Sequence, residues 1–310
     1  MKLRDLGEGA LIRKIRERFG AKASELPVGI GDDAAVIDLP PGHSLIFCSD
    51  LLAENTHFIR ALHPPGSIGH KAIAANVSDI AAMGGVPMHF LISLAVPRDL
   101  DWTWVEGFFH GVESACWQFD ISLAGGDSAS ADHIFVDVSM IGRVRSGQAV
   151  RRSGAKVGDA IYVTGMLGSS VLGLEYLKSG KADDPAVKRH LYPEPRYKIG
   201  AAVVDRAHAM IDVSDGLSTD LTHILEESKV SARIYKDRLP VWPGAKDHHV
   251  LHGGEEYELI IVAPDLPRMI EGIPLTCIGE ISKSEKEHQA FLIAGTLESV
   301  FLPRGWQHFM

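Results

Sequence analysis

Several short stretches of this chain gather carboxylates beside glycines, at strand mouths or on a helix. They are residues 29–33 (Gly-Ile-Gly-Asp-Asp), 48–50 (Cys-Ser-Asp), 76–79 (Asn-Val-Ser-Asp), 125–128 (Gly-Gly-Asp-Ser), 212–216 (Asp-Val-Ser-Asp-Gly) and 253–258 (Gly-Gly-Glu-Glu-Tyr-Glu). Ionised carboxylates are acceptor-only oxygen ligands, and glycine lets a ligand approach the backbone. The three cysteines, Cys48, Cys116 and Cys277, are far apart and form no Cys/His ligand spacing. Hard oxygen donors without soft partners point to Mg²⁺ or Mn²⁺. Mg²⁺ is usually held by one or two carboxylates plus substrate phosphates, so several such sites together suggest a polyphosphate substrate.

Each stretch also has a plainer reading. Asp32-Asp33 fits an ordinary turn, Asp50 a helix N-cap, and residues 253–258 a polar turn before a strand. Asp79 sits three residues from Asn76 on an alanine-rich helix, so the two side chains are neighbours. A charge on a closely packed helix must be paired or metal-bound. At 212–216, Ser214 or Asp215 can cap the following helix. A cap explains one aspartate and leaves the other over. Two carboxylates at a helix N-terminus oppose phosphate unless Mg²⁺ stands between them.

Cationic groups are sparse. Arg152, beside Arg151, can take a phosphate bidentately. Lys71, His57 and His70 lie near acidic stretches in sequence. His57 reads as an orienting or packing residue, with no second histidine at ligand spacing. Trp306 can stack on a ring or close a core edge. No Walker Gly-Lys-Ser/Thr, kinase catalytic loop or Gly-x-Gly-x-x-Gly is present.

The elements that must position these groups alternate between strand and helix. Strands are expected at 34–38, 44–48, 88–96, 121–124 and 134–144, with helices at 67–83 and 102–118 between them. A polar, glycine-rich linker at 147–158 precedes a second run. That run has strands at 160–164, 211–213 and 257–263, and helices ending at Gly180, at 197–207 and at 216–227. The reading is α/β with mixed sheets and two domains, 1–150 and 151–310. The chain has 310 residues and a net charge of -9, from 31 Lys+Arg against 40 Asp+Glu. That balance gives no general attraction for nucleic acid or an anionic membrane. The N-terminus is an amphipathic charged helix rather than a signal peptide, and the apolar runs are too short to span a bilayer. Free, scattered cysteines fit a cytoplasmic location.

The stretches GIGDDAAV, CSDLLAENTHF, GHKAIAANVSDIAAMGGVP, LAGGDS, RRSGAKVGDAIYVTG, LYPEPR, IDVSDGLSTDLTHI, GGEEYEL and GWQHF span nearly the whole chain. In this order they resemble the thiamine-monophosphate kinase family, within the superfamily that includes aminoimidazole ribonucleotide synthetase. The resemblance implies ATP-dependent phosphorylation of thiamine monophosphate to thiamine diphosphate by direct in-line transfer. It implies an N-terminal Mg-ATP-binding domain that pairs into a homodimer, and a C-terminal domain that completes the active site. Asp33, Ser49, Asp50, Asp79, Asp127, Asp212 and Asp215 match the family's Mg²⁺ ligands. Gly126, Asp127, Arg152 and Ser214 match its nucleotide contacts, and His57, Glu255 and Trp306 its thiamine monophosphate contacts. Asp79, Asp212 and Arg152 are the expected catalytic residues. The chain departs from the family pattern at Cys48, at Glu54-Asn55-Thr56 and at Glu256, where an aspartate is usual. Other superfamily enzymes fit less well. A selenophosphate synthetase would carry a reactive cysteine before Cys48, and a hydrogenase-maturation dehydratase would end in cysteine rather than in His308-Phe309-Met310.

Overall fold

The computed structural model describes residues 8–20, 39–283 and 288–307, with Asp5 and Ile37. The turn at 29–33, including Asp33, and most of the strand expected at 34–38 lie outside the described residues. The chain forms two compact units, residues 1–80 with 86–147, and residues 81–85 with 148–310.

The first unit runs α1 (Glu8–Phe19), β1 (His43–Ala53), α2 (Pro65–Ala82), β2 (Val86–Val96), α3 (Trp102–Phe119), β3 (Ser122–Ser130) and β4 (Phe135–Arg145). Its sheet has the order β1-β4-β2-β3. β2 and β3 are parallel, joined through α3, and the other pairs are antiparallel. Side chains alternate between two faces, as strand geometry requires. Ile46, Leu52, Phe90, Ile92, Val136, Val138 and Met140 are buried. On the opposite face Leu45, Leu51 and Leu91 are exposed, and Phe47 is 67% exposed.

Helix α2 covers the buried face, and its small residues explain how closely. A Cβ on Gly142 of β4 would lie 2.6 Å from Ile80, one on Gly69 would lie 2.3 Å from the Phe108 carbonyl oxygen, and one on Gly111 would lie 1.8 Å from that of Gly66. Helices α2 and α3 therefore meet backbone to backbone. From residue 67 to 82 every position of α2 is buried except Asp79, which is half-buried.

The second unit contains β5 (Ala160–Thr164), α4 (Ser169–Lys178), α5 (Pro185–Leu191), α6 (Tyr197–Val203), β6 (Ala209–Asp212), α7 (Leu217–Ser228) and β7 (Ser231–Tyr235). These are followed by α8 (Asp247–His252), β8 (Leu259–Ala263), β9 (Met269–Ile270), β10 (Ile273–Ser282), β11 (Ala290–Ala294) and β12 (Leu297–Val300). The sheet order is β12-β11-β7-β10-β5-β8-β6, with β9 on β10. Strand β8 is buried on both faces. Ile260 and Val262 join Leu217, Leu221, Ile224 and Leu225 of α7, whereas Leu259 and Ile261 join Ile199 and Val203 of α6. Two-sided burial accounts for its unbroken apolar run.

The expected mixed α/β architecture is what is found, with corrections. β1 continues to Ala53, so Asp50 lies inside a strand instead of ending one. β3 runs through Gly125, Gly126 and Asp127, which the sequence reading placed after a strand. The polar stretch before Tyr197 contains α5, capped by Asp184, whose side chain accepts the Ala186 N–H. Strands β7 and β9 to β12 were not expected.

The α2–α3 contact makes a clear prediction. Gly111→Ala forces a methyl group into the Gly66 backbone and should cost about 1–3 kcal/mol, as overpacking typically does. Urea unfolding should show a lower midpoint at unchanged slope.

Candidate active site

In the first unit the acids divide between the two sheet faces. Ser49 and Asp50 are consecutive in β1, so their side chains leave opposite faces. The Ser49 hydroxyl donates to Asp137 Oδ1 at 2.9 Å and accepts from Ser139 at 3.4 Å. Asp137 stands opposite Ser93 of β2, and Ser93 opposite Asp127 of β3. Ser49, Asp137 and Asp127 thus share the open face. Asp137 was missed in the sequence, where it reads as one polar position of an alternating strand. Asp50 shares the helix-covered face with Cys48, whose thiol lies 3.5 Å from Asn76 Oδ1 of α2. Cys48 therefore bonds to the helix rather than offering sulfur to a hard cation.

Asp127 is exposed and accepts the Ser128 N–H at 2.8 Å. At Gly126 a Cβ would lie 1.9 Å from the Ile92 carbonyl oxygen, so only glycine lets β3 approach β2 there. Beside residues 125–128 is a cavity of about 90 Å³ lined by Leu11 and Ile15 of α1, Ile92 and Leu94 of β2, Phe109 of α3, and Leu123. It is apolar except at its Asp127 end. Its α1 and α3 walls were not identified from sequence, because neither helix carries a motif.

His57 follows a turn in which Asn55 has φ 69°. Its Nδ1 accepts the Ala53 N–H at 3.0 Å, so the neutral ring carries its proton on Nε2. Glu54, one of the departures from the family pattern, is bound internally. Arg60 lies 2.9 Å from one oxygen, and the other accepts the Ile134 N–H at 3.0 Å.

In the second unit, β6 ends at Asp212, which is 4% exposed. Asp220, in the first turn of α7, is 2% exposed. Its Oδ2 accepts the N–H groups of Asp215 and Gly216 at 3.1 and 2.9 Å. Burial, then the negative charges of Asp212 and Asp215, hold the Asp220 carboxyl well above the usual carboxylate range. This third acid was also missed, although an aspartate four residues after a helix-starting glycine was a usable signal.

Residues 253–258 are fastened to this loop through the backbone. Glu255 N–H donates to the Ser214 carbonyl at 2.7 Å, and Glu256 and Tyr257 N–H groups donate to that of Val213 at 3.1 and 2.9 Å. A Cβ on Gly254 would lie 2.5 Å from the Ser214 oxygen, so the close approach requires glycine. Glu255 and Tyr257 have φ of 58° and 52°, a left-handed conformation uncommon for such residues. The Glu255 carboxylate lies 3.7 Å from His190 Nδ1.

The two glutamates on either side of Tyr257 hold this conformation. Glu256 accepts from Gly168 N–H and Ser170 N–H, both at 2.9 Å, and from the Ser169 hydroxyl at 2.6 Å, which satisfies the start of α4. Glu258, 1% exposed, accepts from Arg189 at 2.9 Å, from Arg196 at 2.7 and 2.6 Å, and from Thr164 at 2.6 Å. Burial disfavours the Arg196 charge, yet the bonds and charge of Glu258 outweigh it and raise its pKa. The LYPEPR and GGEEYEL stretches thus meet in one ion cluster. Trp306 N–H donates to the Asp215 carbonyl at 2.9 Å. Ser214, Asp215, Glu255 and Trp306 are therefore brought together by main-chain bonds. Arg152 is exposed; Ser228 bonds its carbonyl at 2.9 Å, and the neighbouring Arg151 carbonyl accepts the Met210 N–H of β6 at 3.1 Å.

Residues 31–144 match the AIR synthase related protein, N-terminal domain, and residues 156–287 match its C-terminal domain. Thiamine-monophosphate kinase of Escherichia coli K12 is 36% identical, with 98% of each chain covered. The chain belongs to the thiamine-monophosphate kinase family. The crystal structure of thiamine-monophosphate kinase from Stenotrophomonas maltophilia K279a is similar, with a TM-score of 0.81 and 32% identity over 94% of this chain and 97% of that one. The structure of AaThiL complexed with AMPPCP and TMP gives a TM-score of 0.78 and 33% identity, covering 100% and 99%.

In this member of the family, Glu256 makes stability depend on pH. Burial pushes its carboxyl up to about 7, against the lowering effect of the bonds from Ser169 and Ser170. The unfolded chain loses this proton near its ordinary value of 4.5, while the folded chain keeps it to about 7. Folding is therefore favoured most below 4.5 and loses about 3 kcal/mol from this group as pH rises through 7. Glu256→Gln keeps an acceptor for the α4 amides and cannot ionise. Chemical unfolding at pH 5 and pH 8 should show the wild type losing more stability than the variant.

Proposed function

We propose that this protein phosphorylates thiamine monophosphate to thiamine diphosphate with ATP, by direct in-line transfer, in thiamine diphosphate biosynthesis. The observation that carries the reading is the acidic loop 212–216, fastened through main-chain bonds to Glu255 and Trp306. Full-length similarity to thiamine-monophosphate kinases supports it.

The donor set suits Mg²⁺. Asp212, Asp215 and Asp220 offer only oxygen; burial first, and then the charges of Asp212 and Asp215, raise Asp220, and a hard divalent cation would relieve the repulsion among them. Asp212 and Asp215, together with Asp33, Ser49, Asp50, Asp79 and Asp127, are the proposed ligands. When bound, Mg²⁺ supplies the positive charge that an acidic protein needs in order to hold polyphosphate.

The remaining work falls to the chain's own groups. Gly126, Asp127, Arg152 and Ser214 contact the nucleotide, and the cavity beside Gly126 takes the adenine ring. Arg152 and the N-terminus of α7 stabilise charge on the transferring phosphoryl group. Glu255 accepts from the aminopyrimidine, Trp306 faces the cationic thiazolium, and His57 donates through Nε2. An acceptor phosphate oxygen attacks the γ-phosphorus while the bond to the β-phosphate oxygen breaks and ADP leaves. That oxygen is already anionic, so no general base is required.

The homodimer is proposed to form through the open sheet face, where the exposed Leu45, Phe47, Leu51 and Leu91 stand beside the polar Ser49, Asp137 and Ser139. No helix among the described residues is long and apolar enough to cross a membrane. The acidic net charge supports a protein with no general attraction for nucleic acid or an anionic membrane, and a cytoplasmic location is part of the same proposal.

Purified protein with ATP, Mg²⁺ and thiamine monophosphate should form thiamine diphosphate; absence of product would refute the assignment. Asp79→Asn and Asp212→Asn should each lower kcat at least about 100-fold, as loss of charge stabilisation in a preorganised site typically does, with unchanged circular dichroism. Phe47→Asp should halve the mass seen by light scattering.

A further inference from the structure

The segment that carries Trp306 is held by consecutive backbone amides. Arg304 N–H donates to Ser218 Oγ at 3.2 Å, Gly305 N–H to Thr219 Oγ1 at 3.0 Å, and Trp306 N–H to the Asp215 carbonyl at 2.9 Å. Two of these acceptors are side chains in the first turn of α7, where Ser218 is 0% and Thr219 7% exposed. The next residue, Asp220, bonds the Asp215 and Gly216 amides. One helical turn therefore sets both the acidic loop and the segment at 304–306.

The fit is close. A Cβ on Gly305 would lie 2.1 Å from the Asp215 oxygen and 2.6 Å from Thr219 Oγ1. Hydroxyl groups buried to this degree are costly unless bonded, and the Thr219 hydroxyl accepts from Gly305 N–H. Trp306 itself is 51% exposed, so this anchoring does not serve to bury its ring.

We propose that Thr219 is a positioning residue for acceptor recognition: its hydroxyl fixes the Trp306 indole relative to the acidic loop. This rests on the function proposed above. An acceptor with a cationic aromatic ring at one end and a phosphate at the other must meet both the indole and the acid-bound metal. The distance between them selects its length. The shared turn of α7 sets that distance, and Thr219 makes no contact with the substrate.

The test compares Thr219→Val, Thr219→Ser and Gly305→Ala with wild type. Thr219→Val should raise KM for thiamine monophosphate about five- to tenfold, the effect of one lost hydrogen bond, while kcat and KM for ATP stay within about twofold; Gly305→Ala, whose methyl group meets the Asp215 oxygen, should raise the same KM at least as far. Thr219→Ser retains the hydroxyl and should restore the wild-type KM. Trypsin should cut after Arg304 faster in Thr219→Val than in wild type or Thr219→Ser. An unchanged acceptor KM in Thr219→Val overturns the proposal, as does a parallel loss for both substrates, which would mark a merely structural role. If wild type forms no thiamine diphosphate, the functional reading fails; an unchanged trypsin rate then shows separately that Thr219 does not hold the segment.

Discussion

The second unit depends on the main-chain bonds that join residues 213–215 to residues 255–258. β6 and β8 pair as far as Asp212 and Leu259. Beyond that point Val213 keeps the two segments together, donating to the Glu258 carbonyl and accepting from Glu256 and Tyr257. Carboxylates held this close repel, and a flexible loop would let the buried Asp212 and Asp220 and the half-buried Asp215 swing into water. The pairing beyond the strand ends removes that freedom. Glu256 and Glu258 secure it from below, one by satisfying the start of α4 and the other by neutralising Arg189 and Arg196. Removing one partner of a buried pair of this kind costs roughly 3–5 kcal/mol, so the left-handed backbone at Glu255 and Tyr257 is well supported.

The first unit meets a different constraint. Its sheet has one face under α2 and the other open, so each strand must serve two environments in alternation. β1 shows the result within two residues, since Ser49 joins Asp137 on the open face while Asp50 joins Cys48 under the helix. The helix contributes through small size. Alanines and glycines bring α2 against β4 and α3, and Asp79 is its one half-buried position between residues 67 and 82.

Much of this was legible in the sequence. The α2 and α3 helices, the β5 and β8 strands and the restart after residue 147 follow from periodicity and glycine punctuation. The acidic stretches were legible because carboxylates beside glycines are chemically conspicuous. What was hidden depends on neighbours distant in the chain. Gly125-Gly126-Asp127 reads as following a strand, but pairing with β2 draws it into β3. Asp220 belongs to none of the acidic stretches, and its part in the loop comes from its bonds to the Asp215 and Gly216 amides. Glu256 and Glu258 looked alike in sequence; one caps a helix and the other binds two arginines, and only the tertiary structure separates them. Leu11, Ile15 and Phe109 carry no motif and line a cavity solely because two helices happen to flank β3.

The bonds that join residues 213–215 to 255–257, and Asp215 to Trp306, are made by peptide groups, which every residue possesses (proline lacks only the donor). Such a framework is blind to the identity of the side chains it displays. Individual acids, rings or histidines can then be exchanged over evolutionary time with little effect on the scaffold, provided the few glycines that permit the close approach remain. Descent would conserve the spacing of the segments and leave the chemistry open to revision, so that related chains could keep the framework while acting on different acceptors.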